Sequence, residues 1–221
     1  MKQNWLTQKA RYNGTVSVIM ISILVLIASL TAWLPELRSG NLLVANPELV
    51  FQQHHYELLW TTLFVHADLG HILGNMILFV PLLYLLSAYF GSWLWPLLSI
   101  FVGGLINAIV LKTLPSSVFL MGISGVANWL GATWLCLYFL IDLRESKRHR
   151  FAVALFITFM LFVPDTYKPE TSYLSHLLGY FFELITGLAY FAIYKKRFKS
   201  VEIYEEVVEP GQIIENADFT P

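Results

Sequence analysis

The sequence predicts an all-α, polytopic membrane protein, a bundle of six transmembrane helices. Three observations predict it. Of 221 residues, 57% are hydrophobic and 13% are charged, with a mean hydropathy of +0.61, whereas a soluble domain carries about 25% charged residues. Six apolar stretches follow one another, separated by polar or Gly/Pro-containing breaks. The basic residues are segregated in a way that an even number of crossings explains.

The chain opens on a polar segment, 1–15, with Lys2, Lys9 and Arg11. Residues 16–34 are almost uninterruptedly apolar and long enough to span a bilayer. A signal peptide begins similarly, but this run is longer than a signal's apolar region and more spans follow. The connection 35–65 is mixed in polarity and must lie outside the hydrocarbon core or fold onto the membrane surface. The second span covers 69–90, and Gly91-Ser92 breaks it. The third covers 93–111 and leads to a linker with Lys112 and Pro115. The fourth covers 120–141, followed by a basic loop, 142–150. Residues 151–163 are apolar but short of the roughly 20 residues a span needs. The sixth span covers 173–194 and ends on Lys195-Lys196-Arg197-Phe198-Lys199.

The acidic tail that follows is expected to be a flexible soluble extension. The organisation read from the chain is an N-terminal segment (1–15), a six-helix domain (16–194), and a basic flank with an acidic tail (195–221). No internal repeat is visible. Of the fourteen Lys and Arg residues, all but Arg38, Lys112 and Lys168 then fall on one side of the membrane. Basic flanks mark the cytoplasmic side, so both termini are expected there. The single Cys136 excludes an intramolecular disulfide, and its apolar context reads as packing. A net charge of -1 says nothing about nucleic acid, and no nucleic-acid partner is expected.

The polar residues inside the spans carry the chemistry. Gly122-Ile123-Ser124-Gly125 places a hydroxyl between glycines, which let the backbone turn tightly and a substrate approach. Alone the motif is weak, because small residues in apolar segments usually serve helix packing. Topology strengthens it. Spans two, four and six run in the same direction, and each carries polar groups near its outer end. These are His66, His71 and Asn75, then Ser124 and Asn128, then Ser175 and His176. Polar groups at one depth in the bilayer should face each other or a wet cavity.

Ser124 and His176, on different helices at matching depth, can pair so that the imidazole takes the serine proton. His71 and Asn75, four apart, share a helical face. With the Ser124 amide they can donate to a developing oxyanion. Each of these residues has a plainer reading as a helix–helix hydrogen-bonding group. For His66 the two readings balance. A zinc site from His66, Asp68 and His71 is disfavoured because the spacing is not that of a metalloprotease helix.

Taken together, His66-x4-His71-x3-Asn75, Gly122-Ile123-Ser124-Gly125 and His176-x2-Gly179 resemble the rhomboid family of intramembrane serine proteases. The resemblance covers about 60–190. It implies a Ser124–His176 dyad without a catalytic aspartate and an oxyanion site from His71, Asn75 and the Ser124 amide. His66, Gly122, Gly125 and Gly179 support the motifs. It also implies single-span membrane proteins as substrates, cut near the outer face and entering beside the fifth helix. The first loop would lie partly in the membrane, and no metal or organic cofactor is implied. A bacterial inner membrane is the expected location, from the minimal core. A non-catalytic rhomboid-like binder of transmembrane clients and a small membrane transporter are the alternatives.

Two features depart from the family. The Trp-Arg pair of the first loop is missing, which bears on how that loop is anchored. Glu183 stands where a second glycine usually follows Gly179, which predicts altered packing between spans four and six. An ionised carboxylate is expensive at that depth. Glu183 is therefore expected to hydrogen-bond a neighbouring helix, through Asn128, Trp134, Tyr138 or Asn107.

Overall fold

The computed structural model describes residues 1–34, 42–162 and 173–205. Among them the secondary structure is helical, with two isolated β-bridges and no strand. The long helices are α1 (Thr15–Trp33), α3 (Leu69–Phe90), α4 (Leu94–Leu111), α5 (Ser124–Ile141), α6 (Lys147–Phe162) and α7 (Tyr173–Lys199). A single helical turn in the first loop, α2, spans Leu58–Thr61. Five helices, α1, α3, α4, α5 and α7, are long and apolar enough to cross a membrane.

Five of the six expected spans, all but the fifth, correspond to these five helices. The second matches α3, capped by Asp68, whose carboxylate accepts from His71 N at 2.8 Å. It ends at Gly91, with φ 138°. The fourth begins at Ser124 instead of 120, because Gly122 (φ 103°) takes the chain through a non-helical turn first. The sixth runs on to Lys199. The fifth, α6, has 16 residues; Val163, its expected end, lies outside the described residues.

α5 is the axis of the bundle and packs most extensively on α7. Glycine makes this contact close. A Cβ on Gly179 would lie 2.5 Å from Gly125 O, and one on Gly187 would lie 2.8 Å from Cys136 Sγ. The expectation that Glu183 alters this packing therefore has a structural answer. The close approach is made at Gly179 and resumed at Gly187, and Glu183 is buried between them.

α1 buries one stripe, Ser17, Ile21, Val25 and Ser29, and exposes most of its other apolar residues. α6 is mostly exposed. Arg150 donates to Phe139 O at its start, and Thr158 Oγ1 shares a hydrogen bond with Tyr180 OH further along.

The segment before α1 is folded, although its sequence reads simply as polar. Asn4 caps a short turn, Trp5–Thr7, and its Nδ2 donates to Asp142 Oδ1 at 2.7 Å. Trp5 is buried, packs on Phe198 at 5.3 Å, and donates to Tyr89 O. Gln3 pairs with Ile203, so the start of the tail is tied down; residues 206–221 lie outside the described residues. The N-terminal segment, the α5–α6 loop and the end of α7 thus meet at one end of the bundle. α6 leaves that end, and its Met160 reaches the cavity at the other.

Candidate active site

The cavity is open, holds about 890 Å³, and lies between α3, α4, α5, α6, α7 and the loop before α5. His71, Asn75, Gly122, Ser124, Gly125, Asn128, Ser175 and His176 all contribute to its lining. Of the polar residues expected at one depth, all but His66 are therefore gathered around one space.

Three local features position them. First, Ser124 opens α5, so its N–H has no intrahelical acceptor and the positive end of the helix dipole meets the cavity. Asn128, one turn on, donates to Ser124 O at 3.0 Å. Second, the Gly125–Gly179 contact brings the first turns of α5 and α7 together. A Cβ on Gly125 would meet Ser175 at 3.3 Å. His176, next to Ser175, is 3% exposed and lines the cavity with Ser124. Third, a Cβ on Gly122 would lie 3.0 Å from His71 Cε1, 3.1 Å from its Nε2 and 3.5 Å from Asn75 Nδ2. Only glycine suits that position, on both space and φ. Both side chains thereby lie against the turn that leads into Ser124.

Asn75 Nδ2 is buried and has no hydrogen-bond partner among the described residues. A buried donor left unpaired costs about 1–3 kcal/mol. Such a donor beside a cavity suits a charge that develops only during a reaction.

His66 is placed differently. Its ring is 1% exposed, is absent from the cavity lining, and packs edge-on against His71 with centroids 4.9 Å apart. α1 grips this segment: Trp33 Nε1 donates to His66 O at 2.8 Å, and His66 N donates to Ser29 Oγ at 3.1 Å. His66 thus buttresses His71. Asp68 is engaged as the α3 cap, and no group of three His, Cys, Asp or Glu able to hold a metal occurs among the described residues.

The sequence did not single out Thr62. Its carbonyl accepts from Gly122 N at 3.0 Å and its hydroxyl donates to Leu120 O. Leu120 N in turn donates to Ala45 O at 2.7 Å. The first loop therefore holds the turn before Ser124. That loop is itself anchored on α4 without a Trp-Arg pair. Trp60 lies against Gly104, Leu63 against Gly103, and Asn107 Nδ2 donates to Leu59 O at 2.8 Å.

Two of the four partners expected for Glu183 are engaged elsewhere. Asn107 and Asn128 make the bonds just described, and Trp134 packs on Tyr89 and Phe90. Glu183 Oε2 has no hydrogen-bond partner among the described residues.

A family model for the rhomboid domain matches residues 53–196. No curated protein matches the chain significantly. The matched region contains the motifs of α3, α5 and α7 and the whole cavity lining, while α1 lies before it. A helical membrane bundle, a cavity around the three motifs and a domain match over more than half of its length together make this integral membrane protein a member of the rhomboid family.

Proposed function

We propose that the protein is an active intramembrane serine endopeptidase acting on single-span membrane proteins. Ser124 Oγ attacks the scissile carbonyl while His176 takes its proton. The oxyanion is received by the Ser124 N–H, Asn75 Nδ2 and His71. His176 then protonates the leaving amine, and the Ser124 ester is hydrolysed by water that His176 deprotonates. The Asn75 donor, without a partner among the described residues and lying against the turn into Ser124, is the observation that carries this reading. The open cavity supports it by giving water and an extended peptide a way in.

A helical substrate hides its backbone, so small, helix-weakening residues near the cut are expected. The segregation of basic residues supports placing both termini in the cytoplasm and the cavity near the opposite face. The host membrane would be a bacterial inner membrane.

Cleavage of a reconstituted single-span substrate tests this reading. The native chain should cut it, and Ser124→Ala and His176→Ala should each lose about 10⁴-fold or more in turnover with unchanged melting. Near-native turnover in either variant would remove the dyad. A folded native chain that binds the substrate without cutting it would favour a client binder.

A further inference from the structure

The end of the bundle away from the cavity carries a second cluster that proteolysis does not use. Trp5 is 3% exposed, and two exposed arginines lie against its ring, with Arg11 Cζ at 4.0 Å and Arg197 Cζ at 4.9 Å from the centroid. Among the described residues neither guanidinium has a carboxylate within ion-pair distance. A neutral acceptor holds each instead. Arg11 Nη2 donates to Gln8 Oε1 at 2.8 Å, and Arg197 Nη2 donates to Tyr12 OH at 3.0 Å. A guanidinium has five N–H donors, so most of each fork stays available. The ring quadrupole attracts each cation, but it does not neutralise the pair.

The surroundings favour an anion. The described segments of this end, 1–14, 142–150 and 195–205, hold eleven Lys and Arg against four Asp and Glu. Two of those four are already engaged, Asp142 by Arg144 and Glu205 by Lys2. The position favours an interfacial ligand. Trp5 donates to Tyr89 O near the end of α3 and packs on Phe198 near the end of α7. These helices leave the hydrocarbon here, at the level where Trp and Tyr concentrate and lipid phosphates lie.

We propose that Arg11 and Arg197, set on the Trp5 ring, bind a phosphate group, supplied by the head group of an anionic phospholipid or by free phosphate. Arginine forks match phosphate oxygens in a way that a lysine ammonium does not. Basic sites beside transmembrane helices suit such head groups.

The test compares the melting of the full chain in phosphatidylcholine nanodiscs with and without phosphatidylglycerol, and in detergent with and without inorganic phosphate. Phosphatidylglycerol should raise the melting temperature of the native chain. Arg11→Gln/Arg197→Gln should abolish that rise. Lys147→Gln/Arg148→Gln, which removes two cations from the same end, should keep it. A rise with inorganic phosphate as well would name free phosphate as a ligand, and a rise with the lipid alone would name the lipid. Should the double glutamine variant not fold, Arg11→Lys retains the charge without the fork, and it should lose most of the response. The proposal is overturned if neither probe raises native melting. It is equally overturned if Arg11→Lys responds as the native chain does, or if the two double variants respond alike.

Discussion

The two ends of the bundle are built on opposite principles. At the closed end, Trp5, Phe90, Trp95, Tyr190 and Phe198 form a continuous aromatic cluster, with Phe90 and Tyr190 centroids 5.7 Å apart and Tyr190 OH donating to Phe90 O at 2.6 Å. There the polar groups Asn4 and Asp142 satisfy each other, and the N-terminal segment ties three parts of the chain together. At the open end, space is left unfilled, a buried amide donor has no partner among the described residues, and a left-handed glycine holds the turn before Ser124. The difference teaches where stability and chemistry reside. The closed end is packed to hold the helices, and the open end keeps groups poised at some cost in free energy.

The comparison can be broken most sharply at the open end. Asn75→Ala and His71→Ala should each lower kcat by up to about 10²–10³-fold while the melting temperature holds. If each single variant and the double variant kept full kcat, the oxyanion assignment would fail. The closed end should respond in the opposite sense. Trp5→Ala should cost about 3 kcal/mol of stability, with the turnover of the folded fraction preserved. Unfolding followed in lipid or mild detergent, alongside turnover at low temperature, separates the two effects.

The sequence and the structure diverge along the same division. α3 was legible because its long apolar run ends on a helix-breaking Gly91, and the structure adds Asp68 as its N-cap. The gathering of Ser124, His176, His71 and Asn75 was legible because span direction fixes depth. The start of α5 was not, since Leu120 and Met121 are as apolar as a helix and hydropathy does not report the backbone turn at Gly122. The folded N-terminus was not, since a lone Trp5 in a polar segment sets no period. Thr62 and the α1 grip on His66 were not, because both depend on pairings between residues far apart in sequence. The replacement of a family glycine by Glu183 was visible. Its accommodation between Gly179 and Gly187 needed coordinates.

Smaller effects sharpen the contrast. Arg144 hydrogen-bonds Asp142 and holds its carboxyl below the ordinary value, and Asn4 adds to this. A carboxylate whose folded value is depressed stabilises the fold above its unfolded value, and that contribution is lost as pH falls through the folded value. The melting advantage of the native chain over Asp142→Asn should therefore be full above about pH 5 and shrink below about pH 4. An advantage that grew on acidification would contradict the assigned ion pair. The smallest expected effect lies between the two ends. Glu183→Gln keeps a hydrogen-bonding group of the same shape, so stability and proteolysis should both persist. A large fall in kcat at unchanged melting would give Glu183 a part in proton transfer.

Labelling with a fluorophosphonate tests the central claim most directly, because the reagent phosphonylates an activated serine without needing the natural substrate. The folded native chain in membranes should take one label, which peptide mapping should place on Ser124. His176→Ala should label far more slowly, and Ser124→Ala should not label. A folded native chain that took no label, or a label that persisted in Ser124→Ala, would contradict the account.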